Sequence, residues 1–265
     1  MSSDFSPGSI QKVLQADHLT VRLGQHVVLN NLNFELGTGQ IMALIGANGS
    51  GKTTLLRTLI GRVGFEGQIL WMGKSIRDWS LRNLAKQVAY MPQSPSSDPG
   101  DRVIEVLRIG RFPHRGWMSL DHDEDEHLIR EVAQELGLID LLDRAIETLS
   151  GGQRQRVFLG RCLVQSPRVI LLDEPTTFLD LKHQTDFYRL IRKLAEKRGI
   201  CILMACHDLN LATAHADKVM VLKSGRLLAC GNIRQVMNEK IVSEAFDMPM
   251  KRIELNQSFH FVPLE

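Results

Sequence analysis

A glycine-rich run at residues 46–54, GANGSGKTT, has the residue types and spacing of a phosphate-binding loop, G-x-x-x-x-G-K-[ST]. It follows the apolar run 41–45 and precedes a helical pattern over 52–60, the context that this motif requires. The glycines let backbone N–H groups face phosphates, Lys52 can reach the β and γ oxygens, and the Thr53 hydroxyl can ligate Mg²⁺. We predict that a nucleoside triphosphate with magnesium binds Gly46, Ala47, Asn48, Gly49, Ser50, Gly51, Lys52, Thr53 and Thr54.

Two adjacent carboxylates, Asp173 and Glu174, follow the apolar run 169–172. This run is typical of a buried parallel strand, and ligands bind at the carboxyl ends of such strands. We predict that Asp173 is a partner of the magnesium ion. Glu174, one residue further on and directed elsewhere, is predicted to accept a proton from an attacking water.

Two other polar residues, His207 and Gln93, stand at the ends of predicted strands. A lone histidine in such a position is more often a capping or core residue than a catalytic one. Because the strand ends of a phosphate-binding sheet converge on one ligand, we interpret His207 as a sensor of the γ-phosphate. Gln93 follows the predicted strand 88–91, where it could contact Mg²⁺ or the attacking water.

A second glycine-rich turn before a helix occurs at residues 149–156, LSGGQRQR. Ser150 can cap a helix predicted from 151 to 165, and a helix N-terminus carries about half a positive charge. Such a turn also presents N–H groups to an anion. One bound nucleotide needs only one phosphate-binding loop, so this second loop requires another explanation.

The elements that must position these residues alternate along most of the chain. Strand-length apolar runs occur at 41–45, 169–172, 200–205 and 219–222. Between them lie helical patterns such as 183–197, with apolar residues three and four apart. This alternation predicts an α/β fold with a mostly parallel sheet.

Residues 94–165 have no strand pattern and carry helical patterns at 101–110 and 124–136, which predicts an inserted helical subdomain. The Pro-, Ser- and Gly-rich stretch 92–101 is typical of a loop leading into it. From residue 232 onward, the sequence predicts one or two helices and a final strand.

Composition and charge limit the partners and the location that we expect for this chain. The chain has 265 residues, 43% of them hydrophobic, and a formal net charge of +2, which is too small to favour nucleic acid as a partner. Its four cysteines are scattered and favour a reducing compartment. Residues 1–10, predicted to be a flexible tail, do not resemble a signal peptide, and no run approaches 18 apolar residues. We expect a chain that is neither exported nor membrane-spanning by itself.

Taken in order, the motifs resemble those of ABC transporter ATP-binding subunits. They are the Walker A run 46–54, the Q-loop Gln93, LSGGQ at 149–153, the Walker B run 169–174, the D-loop segment 178–180 and the switch histidine His207. The resemblance spans essentially the whole chain and implies ATP as the nucleotide. It also implies one P-loop NTPase (RecA-like) domain over 11–265 with N-terminal antiparallel strands. Its predicted parts are a core of 11–93 and 166–232, a helical subdomain of 94–165 and a C-terminal extension of 233–265.

In that family, the LSGGQ segment binds the ATP held by the P-loop of a second copy. The resemblance therefore implies a head-to-tail homodimer in which Ser150, Gly151, Gly152 and Gln153 act across the interface, with Asp180 also at the nucleotide. It further implies an integral-membrane permease dimer as partner and, indirectly, a substrate-binding protein. The chain would then lie at the cytoplasmic face of the inner membrane and contact the permease through roughly residues 93–117.

The segments 102–115, 176–186 and 205–212 resemble ATPases that serve importers of ferric siderophores, ferric citrate, haem and vitamin B12. The same segments also resemble those of zinc, manganese and molybdate importers. A soluble ABC ATPase acting on nucleic acid or ribosomes is a further alternative, although known forms carry coiled-coil insertions or two ABC domains. A P-loop kinase is another, but it would have no use for LSGGQ or His207.

Three other features receive structural interpretations. The family usually has an aromatic residue that stacks on adenine where this chain has Leu23, which predicts weaker or less base-selective nucleotide binding. The acidic run 121–127, DHDEDEH, is interpreted as the solvated start of a helix. Cys201 and Cys206 are interpreted as small core residues.

Overall fold

The computed structural model describes residues 12–115, 122–177, 179–255 and 258–264. The strands β1 to β12 are Lys12–Leu23, His26–Gly37, Ile41–Ile45, Glu66–Trp71, Lys74–Ser75, Val88–Met91, Val169–Asp173, Cys201–Ala205, Lys218–Lys223, Arg226–Asn232, Met250–Leu255 and Ser258–Pro263. The helices α1 to α9 are Lys52–Leu59, Leu81–Ala85, Val103–Ile109, His122–Glu135, Gly151–Leu163, Leu181–Arg198, Leu209–His215, Ile233–Val236 and Glu239–Phe246. The predicted flexible tail, residues 1–10, lies outside the described residues.

The central sheet has the strand order β10-β9-β3-β8-β7-β6. All neighbouring pairs are parallel except β10 with β9, at the edge. Every residue of β3, β7 and β8 is buried, because these continuous apolar runs are covered on both faces. The predicted mostly parallel sheet is therefore present, and the carboxyl ends of β6, β7 and β8 lie side by side.

A second, antiparallel sheet has the order β2-β1-β4-β5. Helix α1 packs between the two sheets, where Leu55, Leu56 and Leu59 join a core with residues of β1, β3 and β4. Trp71 at the end of β4 is fully buried and donates its indole N–H to the Leu59 carbonyl at 2.9 Å. The N-terminal antiparallel strands thus hold the helix that follows the phosphate-binding loop.

Helices α3, α4 and α5 pack against one another and lie between β6 and β7 along the chain. Gly160 of α5 allows a close helix approach, because a Cβ there would lie 2.8 Å from Leu107 Cδ2 and 3.0 Å from Leu136 Cδ1. At the acidic start of α4, Asp123, Glu124 and His127 are exposed as predicted. Asp125 differs, because it is buried and its carboxylate meets Arg111 and Arg115. The prediction failed there because the arginines that pair with Asp125 come from another segment.

The C-terminal part contains α8, α9 and the hairpin of β11 and β12, so the prediction of a single final strand is wrong. Most residues of β11 are exposed and three are charged, which hides its strand character. The hairpin is attached to α7, since Phe261 N donates to Asn210 Oδ1 at 2.8 Å and Asn210 Nδ2 donates to Phe261 O at 3.2 Å. Cys201 and Cys206 are buried, as predicted. No helix within the described ranges is both long and apolar enough to cross a membrane.

Candidate active site

The phosphate-binding loop joins the end of β3 to the start of α1. Gly46 has φ +153° and Gly51 has φ +104°, conformations that L side chains rarely adopt. A Cβ on Gly46 would lie 2.2 Å from the Leu222 carbonyl oxygen, so glycine is required there by space as well as by conformation. No side chain caps α1 at Gly51, which leaves the first N–H groups of the helix available to an anion.

This loop borders a cleft of about 530 Å³, within the range of small-molecule sites. The P-loop cleft is lined by Val28, Asn48, Gly49, Ser50, Gly51, Lys52, Thr53, Thr54, Gln93, Glu174 and His207. The Ser50 hydroxyl is buried and has no hydrogen-bond partner among the described residues. An orphaned hydroxyl in a glycine-rich loop fits a site that is completed by a polar ligand.

Lys52 is almost fully buried at the base of the cleft. Its ammonium donates to the carbonyl oxygens of Gly46 at 2.9 Å and Ala47 at 3.3 Å, and lies 3.6 Å from Glu174 Oε1. Gly46 and Ala47 therefore contact the lysine rather than line the cleft. A buried ammonium satisfied by weak carbonyl acceptors and a carboxylate is suited to meeting the more strongly charged oxygens of a phosphate.

The carboxylate of Asp173 lies behind Thr53, at the end of β7. Thr53 Oγ1 donates to Asp173 Oδ1 at 2.9 Å, and the Tyr90 hydroxyl donates to Asp173 Oδ2 at 2.9 Å. Burial raises the pKa of Asp173, although both hydrogen bonds oppose that shift. Burial and the neighbouring Asp173 charge raise the pKa of Tyr90 to about 12. Tyr90 is therefore a protonated donor at neutral pH.

Glu174 is the point at which three segments meet. Gln93 Nε2 donates to Glu174 Oε2 at 2.7 Å, and His207 Nε2 lies 2.5 Å from the same oxygen. The Glu174 backbone adopts φ +51°, and its N–H donates to the Ala205 carbonyl at 3.1 Å. The structure thus brings together Gln93, Glu174 and His207, because they follow the adjacent strands β6, β7 and β8.

The second glycine-rich turn does not line the P-loop cleft. Ser150 Oγ accepts from Gln153 N at 3.3 Å, and Gln153 Oε1 accepts from Ser150 N at 2.9 Å, which forms a capping box at the start of α5. The predicted cap is therefore present, and it also occupies the side-chain carbonyl of Gln153. The helix ends at Leu163, two residues before its predicted end.

Asp180 also lies outside the P-loop cleft. It caps α6 by accepting from His183 N at 2.9 Å, and its carboxylate meets the His183 ring at 2.8 Å. The same ring lies against Gly152, where a Cβ would be 2.9 Å from His183 Cδ2. Gly152 and Asp180 thus belong to a second cluster joined through His183, a residue that the sequence did not single out. Phe178 lies outside the described residues.

The comparisons with known proteins agree with this geometry. A family model described as ABC transporter matches residues 29–177. The chain belongs to the ABC transporter ATP-binding family. The resemblance of its motifs to that family is thereby confirmed.

Three proteins are similar in sequence to this ABC ATPase over most of its length. Hemin import ATP-binding protein HmuV of Streptomyces coelicolor is 40% identical over 93% of this chain and 86% of its own. Iron(3+)-hydroxamate import ATP-binding protein FhuC of Bacillus subtilis is 38% identical over 89% and 88%, respectively. Petrobactin import ATP-binding protein FpuD of Bacillus anthracis is 35% identical over 90% and 88%.

Among solved structures, a chain of an ABC transporter in an inward-facing conformation superposes with a TM-score of 0.84 at 29% identity. The alignment covers 96% of this chain and 98% of that one. The predicted α/β fold is therefore confirmed. ATP-binding subunits of this family are ATPases coupled to transport, so this ABC ATPase binds and hydrolyses ATP. Importer subunits of the family work with a membrane permease.

The oxygen ligands of the ABC ATPase fit magnesium. Mg²⁺ prefers one or two carboxylates together with substrate phosphates and water, and the Thr53 hydroxyl and Asp173 carboxylate are already adjacent at the end of the P-loop. Among the residues that the structure describes, no group of three or more His, Cys, Asp or Glu side chains could hold a metal without such help. Bound magnesium would neutralise charge on the phosphates.

Proposed function

We propose that this chain is the ATP-hydrolysing subunit of an importer of an iron chelate, haem or vitamin B12, acting at the cytoplasmic face of the inner membrane on a separate permease dimer. A substrate-binding protein would deliver the cargo to that permease. The relatives described above are named for the import of haem, iron hydroxamate and petrobactin, which supports the iron-chelate and haem members of this group. The observation that carries the catalytic part is the meeting of Gln93 and His207 on one oxygen of Glu174.

In the proposed reaction, the P-loop backbone and Lys52 hold the ATP phosphates, and Thr53, Asp173 and Gln93 hold magnesium. A water attacks the γ-phosphorus, the bond from that phosphorus to the β–γ bridging oxygen breaks, and ADP and phosphate leave. Glu174 accepts the proton of the attacking water, while Gln93 and His207 orient the water and the γ-phosphate. Both side chains occupy Glu174 Oε2, so proton acceptance at that oxygen requires that they first release it.

We also propose that Ser150, Gly151, Gly152, Gln153 and Asp180 act on the nucleotide of a second copy in a head-to-tail dimer. Their separation from this chain's own P-loop cleft supports that role. So does the capped start of α5, whose helix dipole favours an anion.

The proposed permease surface is the turn after α3 together with α2. Phe112 is 69% exposed and Leu81 is 77% exposed, which is unusual for large apolar side chains. Arg82 joins the two segments, because its Nε donates to the Pro113 carbonyl at 3.0 Å. The permease-binding surface predicted from the sequence, residues 93–117, is therefore extended to include α2.

The substitution Glu174→Gln tests the ATPase mechanism. We expect hydrolysis to fall by about 10² to 10⁴, the usual contribution of a general base, while ATP binding persists and an ATP-bound dimer accumulates. Steady-state phosphate release and light scattering after size-exclusion chromatography measure the two effects. Glu196→Gln, at an exposed position of α6, is the matched control and should behave as wild type. Near-normal turnover by Glu174→Gln would remove this residue from the role of base.

A mixed dimer tests the composite sites. Lys52→Ala and Ser150→Arg each disable both sites of a homodimer, whereas a mixed dimer places both lesions in one site and leaves the other intact. Hydrolysis should therefore reappear on mixing two inactive proteins, which independent subunits could not produce.

Cargo is tested by reconstituting the chain with its permease in vesicles and comparing uptake of a ferric siderophore, haem, vitamin B12 and molybdate.

A further inference from the structure

Asp173 is held by donors from two different elements. Thr53 lies in α1 and bonds Oδ1, whereas Tyr90 lies in β6 and bonds Oδ2. The torsion that turns a carboxylate about its Cβ–Cγ bond is broad when nothing restrains it. With one donor on each oxygen, the carboxylate plane is fixed, and the oxygen next to Thr53 is the one that faces the P-loop.

The Tyr90 ring is itself fixed from outside the site. It packs against the core that α1 shares with the two sheets, and the Arg62 guanidinium lies 5.7 Å from the ring centroid. These contacts need the ring and not its hydroxyl. A phenylalanine could pack in the same way. The hydroxyl is instead needed as a hydrogen-bond donor to the buried Asp173 carboxylate.

We propose that Tyr90 is a positioning residue of the ATPase. By bonding Oδ2 of Asp173, it holds this carboxylate so that Oδ1 and the Thr53 hydroxyl together receive magnesium. This inference rests on the proposed function, because it takes Thr53 and Asp173 as the magnesium-binding pair. Tyr90 acts through Asp173 and does not touch the nucleotide itself. Arg57 of α1 adds positive charge close to both groups. Removing a residue that orients a metal ligand typically costs about 10 to 100-fold in metal affinity or activity.

The test uses the full-length chain and the substitution Tyr90→Phe. Binding of a nonhydrolysable ATP analogue is titrated with excess EDTA and with increasing Mg²⁺. We expect the Mg²⁺ concentration for half-maximal enhancement of binding to rise about 10-fold or more, while affinity in EDTA stays within about twofold of wild type. Thermal unfolding of the variant verifies that it is folded.

The matched control is Tyr188→Phe, at the only other tyrosine of the chain. Its hydroxyl is buried and is not one of the donors to Asp173, so its removal should leave the Mg²⁺ requirement unchanged. Adding Tyr90→Phe to Asp173→Asn should produce no further change, because Tyr90 acts through that carboxylate.

An unchanged Mg²⁺ requirement in Tyr90→Phe, or equal weakening with Mg²⁺ and with EDTA, would overturn the inference. A Tyr90→Phe effect that persists in the Asp173→Asn background would overturn it as well. The result is separable from the function itself, because the binding titration needs no turnover. Failure of the proposed function would instead appear as near-normal turnover by Glu174→Gln, or as no uptake of any tested cargo by the reconstituted wild-type chain.

Discussion

Replacing Asp125 by asparagine should destabilise the packing of α3, α4 and α5 at the start of α4. Asp125 Oδ1 lies 2.5 Å from Arg111 Nε, and Asp125 Oδ2 lies 3.2 Å from Arg115 Nε. Arg111 also donates through Nη1 to the Val164 carbonyl at 2.8 Å, at the end of α5. One carboxylate therefore connects α4, the turn after α3 and the C-terminus of α5.

The expected loss of stability follows from the burial of Asp125 and Arg111. The side chains of Asp125 and Arg111 are 9% and 15% exposed, so removing the carboxylate leaves a largely buried guanidinium without its counter-charge. Loss of one partner from a fully buried pair costs about 3–5 kcal/mol. Because Arg111 keeps the Val164 carbonyl and Arg115 reaches solvent, we expect about 2–3 kcal/mol for Asp125→Asn.

The effect should depend on pH. Burial alone would raise the pKa of Asp125, but the hydrogen bonds from Arg111 and Arg115 outweigh it and the net pKa is lowered. A lowered carboxyl pKa contributes stability above its ordinary value, about 3.9, and that stability is lost as the pH falls through the lowered value. The difference between wild type and Asp125→Asn should thus be full at pH 7 and shrink in strong acid.

Urea unfolding followed by circular dichroism at pH 7 and at successively lower pH measures this difference. Asp143→Asn is the control, because Asp143 is 89% exposed and lies 3.7 Å from Arg102. The reasoning is refuted if Asp125→Asn lowers the urea midpoint no more than Asp143→Asn does. A loss of stability that is the same at acid and neutral pH would also refute it.

Two further substitutions probe the nucleotide site. Gly46→Ala must displace the loop from the Leu222 carbonyl, so nucleotide affinity should fall at least about tenfold in a direct titration. Gly49→Ala, which meets nothing within 4 Å, should cost less, and equal losses would contradict the steric argument. Leu23→Tyr supplies the aromatic ring usual in the family, and base stacking contributes about 1–3 kcal/mol. Fluorescence titration with an ATP analogue should show tighter binding, and unchanged affinity would contradict a stacking role at position 23.

Much of the site could be predicted from sequence because its residues follow strands. Glu174 and His207 each end an apolar run, and parallel strands bring their carboxyl ends to one edge. Tyr90 was missed because nothing local reveals that β6 lies beside β7, which is what brings its hydroxyl to Asp173. Asp125 was misjudged for a related reason: its own helix is polar, and its partners lie 10 and 14 residues away.

The contacts of Glu174 bear on how a cell would conserve ATP. One oxygen of this glutamate is engaged by Gln93 and His207, whose loops lead to α3 and to α7. If the proposed composite sites form only with a second copy, a single subunit keeps that oxygen engaged, and we expect it to hydrolyse ATP slowly. Surplus copies could therefore accumulate with little futile hydrolysis, and the rate of consumption would follow the number of assembled transporters rather than the amount of this polypeptide.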